Sequence, residues 1–234
     1  MGGILEVGIL SAHDALPATA GGADRLHLYR MTDDGPMSPE PREVAAVRGR
    51  TDSDLRVSVR LREGYSTDGG ELVRLRGLIS SYLDAGATGI VLGFLNGLGD
   101  VDREVIAGVL SETTCPWTFS RAVDACLDAD AAWVTLVELP RLDSVQTAGS
   151  ARSIHHGLDY LVRTAAGCPR AAELIVAAGD LHADQVPWLA RVGVSQFRVD
   201  AQVRPDGSAR AYVDEALVRS WRLLVDEQMR HGPE

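Results

Sequence analysis

Eight short runs of apolar and β-branched residues punctuate the chain, at 4–10, 25–29, 55–61, 89–94, 117–120, 144–147, 174–177 and 196–199. Between them lie longer segments in which apolar residues recur every three or four positions. That alternation is the signature of βα units wound around a parallel sheet. Cap chemistry marks the boundaries: Ser38-Pro39 opens a helix, Gly86 ends one carrying Leu72, Leu75, Ile79 and Tyr82, and Gly193 ends another. A last helix is predicted over 212–230, with Val213, Leu217, Trp221, Leu224 and Val225 on its inner face. Eight units in 234 residues, 45% of them hydrophobic, predict one α/β domain over 1–234, a (β/α)8 TIM barrel with no linker or low-complexity tract.

Side chains alternate along a strand, so in a barrel one set faces the helices and the other the lumen. In Val57-Ser58-Val59-Arg60-Leu61-Arg62 the apolar set must face the helices, which turns Ser58, Arg60 and Arg62 into the lumen or its mouth. The same parity turns Glu6, His27, Thr118, Ser120, Arg198 and Asp200 inward. An isolated charge there would be very costly, so these groups must pair with one another, with water or with a ligand. Two readings follow. One is a self-satisfied network in which Arg60 and Arg198 neutralise Glu6 and Asp200; the other is a polar pocket at the carboxyl ends of the strands, where barrel enzymes hold their sites. Arg62, Arg121 and Asp200 fall at or just past strand ends, which favours the pocket.

Composition narrows the chemistry. A net charge of -10 with scattered basic residues repels phosphate backbones and anionic lipid, so neither nucleic acid nor membrane is an expected partner. No long apolar run and no basic leader is present, which predicts a cytoplasmic protein. All 23 basic residues are arginine. Arginine cannot form a Schiff base, so imine aldolases and covalently held pyridoxal phosphate are excluded. Cys115, Cys126 and Cys168 lack CxxC spacing and read as reduced, mostly buried thiols. Trp117, Trp133, Trp188 and Trp221 read as packing residues, and His155-His156 as an exposed pair. The polar stretch 65–70 is either a cover for the pocket or an ordinary solvent loop.

Several strand ends resemble one known pattern. AGGADRLHLYR at 20–30, DDGPMSP at 33–39, VSVRLREG at 57–64, GATGIVLGFLNGLGDVD at 86–102 and WTFSRAVD at 117–124 follow in the order of the CutC family's motifs. QTAG at 146–149 and VAAGDL at 176–181 stand where that family has its Thr-Ser-Gly and Ala-Gly-Gly-Gly-Val segments. The resemblance implies a CutC-like TIM barrel, a homodimer and a role in copper homeostasis. Glu6, Arg60, Arg62, Asp100, Asp102, Arg121 and Asp124 keep the pattern. Gly8 and Tyr29 replace cysteines that many members carry, His27 a glutamate, Ser120 a histidine, and Arg198 and Asp200 a histidine and a serine.

From the residues, Glu6 or Asp200 would serve as general base and His27 as a second proton carrier, with Arg60 and Arg198 polarising a carbonyl or carboxylate. Arg62, Ser120, Arg121, Gln146 and Gly179 would contact the substrate. Asp180 and Asp200 would repel a dianion at the usual barrel phosphate site, which points to a small polar, non-phosphorylated molecule. No side chain is assigned as a metal ligand, and copper enters by resemblance only. Three functions therefore stand open: copper homeostasis, by ion binding or indirectly; a proton-transfer or lyase-type enzyme; and a non-catalytic small-molecule binding or interaction barrel.

Overall fold

The computed structural model describes residues 2–33 and 35–231. Eight parallel strands close a barrel: β1 Ile4–Ile9, β2 Arg25–Leu28, β5 Asp54–Ser58, β6 Gly89–Leu92, β7 Trp117–Phe119, β8 Leu142–Thr147, β9 Ile175–Ala177 and β10 Gln196–Val199. Each overlaps a predicted run, and the ring closes where β1 pairs β10 in the register Glu6 opposite Arg198. Helices α1 Ala12–Ala20, α2 Pro41–Arg48, α3 Gly69–Asp84, α4 Arg103–Val109, α5 Ala129–Leu136, α6 Ile154–Gly167, α7 Pro169–Leu174, α8 Val186–Arg191 and α9 Glu215–His231 lie in the connections and after the last strand. Leu5, Val7, Leu26, Leu55, Val57, Phe119, Phe197 and Val199 carry the predicted outward parity and are buried in the apolar core, as are Ile90 and Leu92 of β6.

Four local expectations change. A hairpin, β3 Arg30–Thr32 with β4 Gly35–Met37, follows β2 and was not foreseen, because three-residue strands show no readable alternation. Helix α2 opens at Glu40, whose side chain forms a capping box with Glu43, while the Ser38 hydroxyl instead accepts from the Arg60 amide at 2.9 Å. Helix α9 starts after Asp214, whose carboxylate accepts from the amides of Ala216 and Leu217; this leaves Leu217 exposed and puts Val218 in the core. Trp188 is 56% exposed and lies beneath the Arg191 guanidinium rather than packing inside.

Charged residues plug the amino-terminal mouth of the barrel. Arg25 bonds Asp54 at 2.9 Å and Ser144 and Gln196 at 3.1 Å, while Arg56 grips Asp143 through NH1 and NH2 and Asp54 through Nε and the same NH2. Burial acts to raise the Asp54 pKa, but the Arg56 hydrogen bonds, then the Arg56 charge, Thr88 and Arg25, outweigh it and bring it down to about 2. Because the folded value lies below the ordinary one, ionised Asp54 stabilises the barrel above about pH 4, and that contribution is lost as the pH falls towards 2. Urea titrations should therefore find Asp54→Asn less stable than the parent near about pH 7, with the gap narrowing below about pH 4 and closing only below about pH 2. A gap of constant size would assign Asp54 a role in shape rather than charge.

Candidate functional site

The middle of the lumen is one hydrogen-bonded tier. Glu6, His27, Ser58, Gln146 and Arg198 project from β1, β2, β5, β8 and β10, and all are buried. One Glu6 oxygen accepts from Gln146 Nε2 at 2.6 Å and from Arg198 at 3.3 Å; the other lies 3.6 Å from Arg25 and accepts no hydrogen bond. His27 Nδ1 meets Gln146 Nε2 at 3.1 Å and an Arg198 nitrogen, and its Nε2 meets the Ser58 hydroxyl at 2.8 Å.

Towards the carboxyl end, Arg198 forms a bidentate pair with Asp200 through Nε at 3.0 Å and NH2 at 2.8 Å. The Tyr29 hydroxyl donates to the same carboxylate at 2.9 Å, and the Arg198 guanidinium stacks over the Tyr29 ring. Burial acts to raise the Asp200 pKa, but Arg198 and then Tyr29 outweigh it and hold the carboxyl below its usual range. Burial, then the neighbouring Asp200 charge, pushes the Tyr29 hydroxyl well above its ordinary value.

A cavity of about 380 Å³ opens above this tier. His27, Ser58, Gln146, Arg198, Asp200 and Tyr29 form its floor and one wall. Ser120, Arg121, Asp124 and Gly179 form the opposite wall, and Arg60, Tyr65 and the hairpin residues Met31, Gly35 and Pro36 the rim. Ser120 caps a short 3-10 turn, 121–125, that folds Arg121 back onto Asp124 at 2.7 Å. Asp124 also accepts from Thr147 at 2.6 Å and from the Ala148 amide at 2.9 Å. Even so, burial outweighs these bonds and raises its pKa. Gly179, at φ +102°, must lack a side chain, since a Cβ there would lie 2.7 Å from Arg121 NH1.

The structure thus brings together on one cavity His27, Arg60, Arg198, Asp200, Ser120, Arg121, Gln146 and Gly179. Two predicted residues fall elsewhere. Glu6 lies beneath the floor at 0% exposure, so it orients Gln146 and Arg198 instead of meeting a ligand as a base. Arg62 lies beyond the end of β5, where strand alternation no longer governs direction, and pairs outside with Asp68 at 2.5 Å and Glu71 at 2.8 Å.

Two roles also change. The Arg198 donors are committed to Glu6, His27 and Asp200, so it is a structural anchor of the wall rather than a polarising group. Ionised Asp200, accepting from both Arg198 and Tyr29, is a poor base. The Asp180 carboxylate points to solvent beside His182 and lines no part of the cavity, which removes half of the expected repulsion of phosphate. Sequence reasoning missed Tyr29 and Asp124 as site residues, although each follows a strand end by a few residues. It also turned Ser58 inward without giving it a role.

The donor set does not fit copper. Copper(I) prefers thiolates and copper(II) imidazoles, and His27 is the one histidine lining the cavity among the described residues. Burial, then Asp100 and Asp124, pushes the Cys126 thiol up to about 11, which keeps it protonated. Cys115 precedes β7 and Cys168 precedes α7, both at the amino end of the barrel. Among the described residues no group of three or more His, Cys, Asp or Glu side chains could hold a metal ion. No helix among them is long and apolar enough to cross a membrane.

Comparison with known proteins gives one consistent picture. A CutC protein of Xanthomonas axonopodis pv. citri is 33% identical over 168 residues, covering 70% of each chain. One of Enterobacter sp. is 27% identical over 235 residues, covering 99% of this chain and 93% of its own. Among solved structures, a Streptococcus agalactiae protein described as a candidate copper homeostasis protein, CutC, superposes with a TM-score of 0.74 at 19% identity, over 84% of this chain and 97% of its own. At that identity it speaks for the barrel alone. With the CutC family profile matching residues 3–202 and the Xanthomonas relative above it, this chain belongs to the CutC family.

Proposed function

We propose that the barrel binds a small polar organic molecule of at most one negative charge in the cavity at the carboxyl ends of its strands. The observation that carries this is a recessed cavity of about 380 Å³ whose floor presents polar groups locked in place by a buried network. Three arginines and two aspartates among the lining residues support a monoanion better than a phosphate dianion. Copper homeostasis, the role named for the streptococcal protein, would reach this chain indirectly through that molecule, not through ligation of the ion by side chains.

A proton-transfer enzyme is the second reading, favoured by Asp124. It is the lining carboxyl whose pKa burial raises, towards the range a general acid or base needs. Native mass spectrometry of the purified protein, with metal analysis after loading with copper(I) and copper(II), tests the first proposal. A bound organic molecule without stoichiometric copper is the expected result. Stoichiometric copper and an empty cavity would overturn it.

A further inference from the structure

We infer that the cavity floor is built to read a hydroxyl group and the opposite wall a carboxylate, so that the ligand is a hydroxy acid; this rests on the small-molecule reading above. The polarity of the floor follows step by step from Glu6. Its carboxylate only accepts, so the Gln146 atom 2.6 Å away must be the amide nitrogen. The same nitrogen faces His27 Nδ1 at 3.1 Å, and Arg198 brings a second donor to that atom. Nδ1 is therefore the unprotonated acceptor, and the proton sits on Nε2, which donates to Ser58 Oγ at 2.8 Å.

Two groups are then left facing the cavity with fixed roles. The Ser58 hydroxyl hydrogen has no acceptor among the described residues, and Gln146 Oε1 has no donor there; both residues line the cavity. A floor with one donor and one acceptor is satisfied by a hydroxyl, which can accept from Ser58 and donate to Gln146. A carboxylate there would be repelled by Gln146 Oε1.

On the opposite wall both Asp124 oxygens are already engaged by Arg121, Thr147 and the Ala148 amide, and the groups that remain for a ligand are donors. Arg121 commits Nε to Asp124 and NH2 to the Ser150 carbonyl at 3.0 Å, while its NH1 lies against Gly179 with no partner among the described residues. The Ser120 oxygen accepts from the Ala122 amide, which leaves its hydrogen for a ligand. Such a pair suits an anionic oxygen.

His27 is on this view a positioning residue. It meets Glu6 at 3.9 Å, Arg198, Gln146, Ser58 and the Tyr29 ring; the Arg198 and Gln146 donors keep Nδ1 an acceptor, and Nε2 aims the Ser58 hydrogen.

Calorimetric titration with lactate, glycerate and gluconate against propionate and hexanoate tests the assignment. A hydroxy acid should bind at least about tenfold more tightly than its deoxy counterpart, because a site made for a hydroxyl is left with unpaired groups by the analogue. Ser58→Ala should erase that difference while leaving deoxy-acid binding in place, and Arg121→Gln should weaken both series together. Nitrogen-15 NMR of His27 needs no ligand and should find the proton on Nε2. Equal affinity for the two series, or a proton on Nδ1, would overturn the inference. Binding of none of these acids would overturn it too, while an organic molecule in the native mass spectrum would keep the broader proposal standing.

Discussion

Replacing Glu6 by alanine is expected to lower the unfolding free energy by about 3–5 kcal/mol, the range found when one partner of a buried ion pair is removed. Glu6 is 0% exposed and sits between Arg25 and Arg198, both themselves buried. Without it, Arg25 keeps Asp54 and Arg198 keeps Asp200, but each loses a counter-charge inside the lumen, and Gln146 loses the acceptor that orients its amide. Glu6→Gln separates charge from shape: it keeps the volume and an acceptor oxygen, so it should lose about half as much. Urea denaturation with an unchanged slope is the measurement. Combining Glu6→Ala with Arg198→Met should recover nothing, because it leaves the Asp200 carboxylate without its bidentate partner. A single-variant loss below about 1 kcal/mol would mean that water replaces the carboxylate and that the tier is not closed.

The barrel was legible because its signal is repeated. Eight short apolar or β-branched runs alternating with segments of helical spacing leave few other folds open. The inward set was legible for the same reason, since parity alone places Glu6, His27, Ser58, Arg198 and Asp200 on the lumen side. What parity could not give is which inward charges are consumed by one another. That depends on the closure of β1 against β10, a contact between the two ends of the chain that sets Glu6 beside Arg198. Arg62 shows the opposite limit: alternation was carried past Ser58, where strand pairing had already ended. The hairpin carrying Met31 and Pro36 to the rim escaped because its strands are too short to show a period. Asp124 escaped because it becomes a site residue only through the tight 3-10 turn that folds it under Arg121.

Gly8→Ala should cost about 1–3 kcal/mol, the usual cost of forcing an atom into a filled core. A Cβ at position 8 would lie 1.7 Å from Asp200 Oδ1 and 3.1 Å from Arg198 NH2, so Asp200 must leave Arg198 or the strand must shift. By the resemblance drawn from the sequence, Gly8 stands where many members carry a cysteine and Asp200 where they carry a serine. Any side chain at 8 and this aspartate at 200 would compete for the same space, so the two positions should be coupled. Tyr29, His27 and Arg198 belong to the same unit: Tyr29 bonds Asp200 and stacks on Arg198, and Arg198 touches His27. The expected result is therefore non-additive. Asp200→Ala removes the group that the new methyl strikes, so Gly8→Ala/Asp200→Ala should be little less stable than Asp200→Ala alone, with a coupling of about 1–2 kcal/mol. Strictly additive losses would show that position 8 and position 200 are independent, and that the divergent wall of this cavity arose as separate substitutions rather than as a single repacked unit.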